Sequence, residues 1–163
     1  RKPPMAEPRL DEYLGTVVSV RLHTGDGLLA DAPVLEAIAG RGFKGDVKAG
    51  AEGRHVLLCD DSTIAACGFS PGDLQEQLTV DLPALQSLAA GARLRTGEAL
   101  LRITEDCEPC KLFARRKGGG EDPRGFIRRM QGKRGMLAVV IEGGRIRPGD
   151  RVEVVESAAE SGS

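Results

Sequence analysis

Apolar and polar positions alternate through Thr16-Val17-Val18-Ser19-Val20-Arg21-Leu22, a period of two that predicts a half-buried strand. Asp31-Ala32-Pro33-Val34-Leu35-Glu36-Ala37-Ile38 is read as a short helix with Asp31 near its cap, followed by a Gly-rich loop that runs to Gly53. The apolar run Arg54-His55-Val56-Leu57-Leu58-Cys59 predicts a buried strand, and Asp61 to Cys67 a short capped helix ended by Gly68. Further strands are predicted at Leu78 to Val80, Ala99 to Thr104, Met136 to Ile141 and Val152 to Val155. Between the second and third of these, Asp122-Pro123-Arg124 opens a helix with proline just inside its first turn.

Two stretches nearly repeat. Gly91-Ala92-Arg93-Leu94-Arg95-Thr96-Gly97-Glu98-Ala99-Leu100 aligns with Gly143-Gly144-Arg145-Ile146-Arg147-Pro148-Gly149-Asp150-Arg151-Val152, each read as strand, Gly turn and strand. Two such corners predict a closed or nearly closed β-barrel, a mainly β fold with short helices (α+β). The domain is expected to span residues 13–156, after a flexible N-terminal segment 1–12 and before a disordered tail 157–163.

Composition narrows the function. The 163 residues carry 23 Lys+Arg and 24 Asp+Glu, a balance of −1, which fits one globular domain with a single core. The longest apolar run, Met136 to Ile141, is far short of a membrane-spanning helix, and four cysteines without an apolar leader are read as reduced thiols; the expectation is a cytoplasmic protein with no membrane partner. With aromatics at 3% and no Trp, a base-stacking surface is not expected, so nucleic acid is not the anticipated partner.

Several familiar spellings lack their mechanical context. Gly40-Arg41-Gly42-Phe43-Lys44-Gly45 reads GxGxxG, but a dinucleotide site needs a strand before it and a helix N-terminus after it. Gly68-Phe69-Ser70-Pro71-Gly72 reads GxSxG, yet Pro71 has no N–H for the oxyanion hole that a nucleophilic serine requires. His23 and His55 are the only histidines and are not spaced as a metal pair.

Cys107-Glu108-Pro109-Cys110 admits three chemistries. Structural zinc needs a second pair, and Cys59 and Cys67 are poorly spaced for it. A dithiol redox site belongs early in a βαβ pattern, whereas this one comes late in a strand-rich chain. The third is a single accessible thiolate that ligates a soft metal or carries sulfur. Charge favours the third: residues 111–134 hold nine basic and two acidic side chains, net +7, which leaves −8 for the rest. A cationic segment next to a cysteine favours its thiolate and attracts an anionic ligand. Gly118-Gly119-Gly120 makes the segment look like a mobile lid or phosphate-gripping loop.

Taken in order, Gly42-Phe43-Lys44-Gly45-Asp46, Arg54-His55-Val56-Leu57-Leu58, Glu76-Gln77-Leu78-Thr79-Val80, Gly91 to Thr104 leading into Glu108-Pro109-Cys110, and Gly144 to Asp150 resemble the MOSC domain, named from the C-terminal part of molybdenum cofactor sulfurases. The resemblance runs from about Tyr13 to Val155 and implies a stand-alone, pyruvate-kinase-like β-barrel. It implies that Cys110 carries sulfur or ligates molybdenum. It also implies molybdenum cofactor (molybdopterin), an anionic pterin, as ligand and reduction of N-hydroxylated compounds as activity, with electrons from a separate donor protein. In that scheme Arg54, Lys111, Arg129, Lys133 and Arg134 hold the cofactor, and Asp46 or Glu76 moves protons. Asp46 capping a turn and Glu76 pairing with an arginine are the structural alternatives. The rival chemistry is a Cys110 persulfide fed by a sulfur-donor protein, with Cys107 as resolving thiol; a non-catalytic cofactor-binding module is the third. The chain departs from the family pattern at Lys48, where many members have histidine, and at Gln77, where many have asparagine.

Overall fold

The computed structural model describes residues 13–156, so the segments 1–12 and 157–163 lie outside the described residues. In chain order the elements are β1 (Leu14–Gly25), β2 (Leu28–Asp31), β3 (Leu35–Ile38), β4 (Gly42–Phe43), β5 (Val56–Asp60), α1 (Asp61–Ala66), β6 (Leu78–Asp81), β7 (Arg93–Thr96), β8 (Ala99–Asp106), α2 (Lys111–Lys117), α3 (Pro123–Met130), β9 (Met136–Glu142), β10 (Gly144–Ile146) and β11 (Arg151–Glu156). Seven strands close a barrel in the order β11-β7-β8-β9-β5-β6-β1, because β1 pairs on its other side with β11. Closure leaves those strands without a free edge. All the barrel pairings are antiparallel except β5 with β6, which run parallel across the α1 crossover.

Alternation decides what fills the barrel. Val17, Val20, Leu58, Val80, Leu94, Leu101, Ile103, Ala138 and Val140 point inward as one buried cluster. The opposite faces of β5 and β9 are also covered: Leu57, Cys59 and Leu137 join Ile64, Leu74, Cys107, Phe113, Phe126 and Met130 in a second cluster under the helices. A strand buried on both faces reads as a continuous apolar run, which is why β5 and β9 lack polar alternation in the sequence.

The helix expected over Asp31 to Ile38 is instead the end of β2 and the strand β3. Leu35 and Ala37 are buried while Glu36 and Ile38 are exposed, a period of two, and β3 pairs with both β10 and β4. Pro33 and the strand partners outweigh the capping signal at Asp31. The near-repeat forms one hairpin rather than two. β7 and β8 pair directly, but β10 and β11 separate, β10 to β3 and β11 to β7 and β1. The two copies meet each other: Glu98 N–H donates to the Arg145 carbonyl at 3.0 Å, and Arg145 N–H to Glu98 Oε1 at 2.8 Å.

Candidate active site

The helical lobe begins where β8 ends. Cys110 is the N-cap of α2, in extended conformation, with its sulfur accepting from Phe113 N–H at 3.5 Å. No helix was expected directly after the CxxC; the local reason for it is a capping side chain followed by Lys-Leu-Phe-Ala-Arg-Arg-Lys, residues that favour helix, until Gly118 ends it. α3 opens as expected, with Asp122 capping Gly125 N–H at 3.1 Å and Pro123 at the first turn.

The four thiols differ sharply. Cys110 alone is exposed, Cys59 and Cys107 are buried, and Cys67 lies between. Burial pushes the Cys107 thiol up, against the opposing charges of Arg134 and Arg54, and pushes Cys59 up further still. Cys107 is therefore a protonated, inward-facing thiol and Cys110 the accessible one. The Cys107 N–H is tied to the Gly135 carbonyl at 3.0 Å, which fixes the CxxC against the start of β9.

Arg134 braces this corner. Its guanidinium lies 4.1 Å from the centroid of Phe113, the residue whose amide holds the Cys110 sulfur, and donates to the Leu74 carbonyl at 2.8 Å. Arg54 is exposed and near enough for its charge to act on Cys107; Thr104 Oγ1 donates to the adjacent Gly53 carbonyl at 2.8 Å, joining that loop to β8. Lys111 is exposed at the first position of α2 and lines a cavity of about 300 Å³ with Arg115, Asp122, Pro123, Arg124 and Ile127. Lys133 is exposed in the turn after α3. Arg129 is already engaged: it pairs with Glu121 at 3.2 Å, donates to the Cys67 carbonyl at 3.0 Å and lies over Phe126. Of the five cations expected to hold a cofactor, Arg54, Lys111 and Lys133 are thus exposed with no carboxylate within 4.0 Å among the described residues, and Arg134 holds Phe113 and Leu74.

The two carboxylates expected to move protons have other work. Glu76 is fully buried; it accepts from Gly72 N–H, Leu74 N–H and Thr79 Oγ1, and stands 3.7 Å from the buried Arg21 guanidinium. Asp46 accepts from His23 N–H at 2.8 Å and Lys48 N–H at 2.7 Å. Burial acts to raise the Asp46 pKa, but the His23 and Lys48 hydrogen bonds and the His23 charge outweigh it, leaving a carboxylate below its usual range. These contacts match the structural alternatives to proton transfer: each carboxylate accepts main-chain donors and so holds the loops around it.

Residues without chemical signature in the sequence organise the site. The segment Leu74 to Gln77 is clamped from four directions: Arg134 on the Leu74 carbonyl, His23 Nε2 2.8 Å from that of Gln75, Arg21 on that of Glu76, and the Gln77 side chain, which accepts from Leu57 N–H at 2.9 Å. Gln75 sits at φ 69°, a left-handed conformation that needs such clamping in a non-glycine residue. Gln86 likewise accepts from Gly135 N–H and donates to Asp106 and to the Gly135 carbonyl, tying the end of β8 to the start of β9. Gln77 belonged to a motif; Gln75 and Gln86 carried no signal beyond polarity.

His55 supplies a pH prediction. Its Nδ1 accepts from Val140 N–H at 3.1 Å, which requires a lone pair. Burial, with the charge of Arg41, lowers its pKa below 6.5. The unfolded chain takes up that proton first, so the contribution is complete above about 6.5 and is lost as pH falls toward the folded value, at no more than about 1.4 kcal/mol per pH unit for one proton. Urea midpoints should fall from pH 7.5 to 5.5, and a His55→Gln variant, whose amide oxygen can take the same N–H, should flatten that slope.

Among the described residues no group of three or more His, Cys, Asp or Glu could hold a metal ion. The family model of the MOSC domain matches residues 58–153, from within β5 to within β11. The chain belongs to the MOSC domain family. Solved structures extend this MOSC domain's likeness to its N-terminal strands. The YuaD protein from Bacillus subtilis matches with TM-score 0.72 at 19% identity, over 86% of this chain and 95% of its own. YiiM from Geobacillus stearothermophilus matches with TM-score 0.65 at 18% identity, over 87% and 75%, and YiiM from Escherichia coli with 0.63 at 21%, over 86% and 70%. At these identities the likeness is one of fold. No curated protein matches the chain. No helix among the described residues is long and apolar enough to cross a membrane.

Proposed function

We propose that this MOSC domain binds an anionic molybdenum cofactor through the Cys110 thiolate and reduces N-hydroxylated compounds with electrons from a separate donor protein. The observation that carries the reading is the asymmetry of the thiols: one exposed sulfur held at the head of α2, at the start of a strongly cationic segment, with Cys107 buried behind it. Such a donor set suits a metal that arrives with its own sulfur ligands and a phosphate, and a soft thiolate suits molybdenum better than oxygen or nitrogen donors would. When bound, the cofactor supplies two-electron redox chemistry. The chain's share is to present Cys110, to meet the phosphate with Arg54, Lys111 and Lys133, and to keep the thiol in register through Phe113 and Arg134. Asp46 and Glu76 hold the loops beneath.

Sulfur transfer is the second reading. In it, a Cys107 thiolate attacks Cys110 Sγ of a Cys110 persulfide that a donor protein has loaded; the S–S bond to the outer sulfur breaks, hydrosulfide leaves and a Cys107–Cys110 disulfide forms. Burial of Cys107 and its raised pKa oppose that attack. With reduced viologen as electron source, loss of an N-hydroxyamidine should proceed with the parent protein, drop to the rate without protein in Cys110→Ala, and survive in Cys107→Ser. Sulfide release from a persulfide-loaded sample that disappears in Cys107→Ser, with no reduction in any sample, would favour sulfur transfer.

A further inference from the structure

Positive charge is concentrated in one part of the molecule and little compensated there. On the barrel and its loops, Arg21, Lys44, Arg93, Arg95 and Arg151 each have a carboxylate within 4.0 Å. In the α2–α3 lobe, among the described residues, only Arg129 does. Lys111, Arg115, Arg116, Arg124, Arg128 and Lys133 stand exposed without one. Arg41, Lys48, Arg54, Arg102, Arg145 and Arg147 on the barrel side are also without a carboxylate among the described residues, but they are dispersed along a sequence that carries −8 outside residues 111–134, whereas the lobe concentrates +7 in those 24 residues at a cost in self-repulsion.

The lobe is not purely polar. Leu112 is 45% exposed beside these cations, and Pro123 and Ile127 line the cavity that Lys111, Arg115 and Arg124 surround. Its aromatic residues are spent inside: Phe113 and Phe126 are buried with ring centroids 5.2 Å apart, so no ring is offered to a nucleobase. An arginine-rich rim around apolar side chains is the composition of a protein interface. Lys111, which lines the cavity, follows Cys110 directly in α2, so a partner seated there lies beside the residue that caps the helix.

We infer that the α2–α3 lobe is the docking surface for an acidic protein, the electron donor, which seats carboxylates on Arg115, Arg116 and Arg124 and an apolar side chain in the cavity. The donor's purpose rests on the proposed reductase reading, but binding is measured without cofactor or turnover, so either can fail alone. The probe is a short labelled peptide of Glu and Asp interrupted by leucines, followed by anisotropy at low salt, with a labelled DNA duplex as competitor. The peptide should bind and should slow alkylation of Cys110 by iodoacetamide. The charge reversal Arg115→Glu/Arg116→Glu/Arg124→Glu should weaken it about tenfold or more. Arg145→Glu/Arg147→Glu/Arg151→Glu, an equal charge change on exposed barrel positions, should leave it nearly intact. Equal loss in both triple variants, or binding that leaves Cys110 alkylation unchanged, would overturn the assignment. Displacement of the peptide by a tighter-binding duplex would overturn it in favour of nucleic acid.

Discussion

Glu76→Ala should cost about 3–5 kcal/mol of folding stability, the range for stripping one partner from a buried ion pair. Glu76 is fully buried and Arg21 nearly so, and between them Thr79 Oγ1 donates to the carboxylate while accepting from Arg21 Nη1 at 2.9 Å. Ser19 takes a second guanidinium donor. The alanine leaves Arg21 charged inside the fold and orphans the Gly72 and Leu74 amides as well. For a domain of this size the loss corresponds to a fall of roughly 6–20 °C in Tm. Glu36→Ala is the control: its pair with Lys44 is 3.8 Å long and exposed at both ends, and its loss should stay within about 1 kcal/mol. If Glu76→Ala unfolds no more easily than that control, the network is not what holds the Leu74 to Gln77 segment.

The second large effect is expected at Gly135, beside the candidate site. A Cβ there would lie 2.4 Å from the Leu58 carbonyl oxygen and 2.8 Å from Cys59 Sγ, and its φ of +105° is one that side chains rarely adopt. Gly135→Ala must push apart β9 and β5 and pay for the backbone, together about 2–5 kcal/mol. It should also disturb function, because the Gly135 carbonyl holds Cys107 and its amide is held by Gln86. Gly132→Ala separates the two causes. It has φ +73° but open space around it, so only the backbone term remains, about 1–2 kcal/mol. Urea unfolding of the pair measures the steric difference directly.

Periodicity located most barrel strands because a covered sheet imposes either alternation or an unbroken apolar run, and both survive in the one-dimensional pattern. Its failure at Asp31 to Ile38 has a specific cause: the capping aspartate and short apolar spacing fit a helix locally, and only the pairing with β10, more than a hundred residues away, makes β3 a strand. The near-repeat correctly pointed to closure but not to how the copies divide between partners. Cys110 was legible because its charge neighbourhood is contiguous in sequence. The brace of Arg134 on Phe113 and Leu74 was not, since Leu74 is sixty positions away; for Glu76 and Asp46 the sequence offered an arginine pair and a turn cap as alternatives, and the structure supplies the partners, Arg21 for Glu76 and the His23 and Lys48 amides for Asp46. At the two departures from the family pattern, Lys48 gives its main-chain amide to Asp46, as any non-proline residue there can, and the Gln77 side chain accepts from Leu57 N–H of β5.

The central claim is that Cys110 holds molybdenum cofactor. It is tested most directly by elemental analysis of molybdenum in protein purified from a host that makes the cofactor, beside Cys110→Ala and Cys107→Ser. The account predicts close to one molybdenum per chain in the parent and in Cys107→Ser, and none in Cys110→Ala. No molybdenum in the parent, with cofactor shown to be present in the host, would contradict it, as would full occupancy in Cys110→Ala.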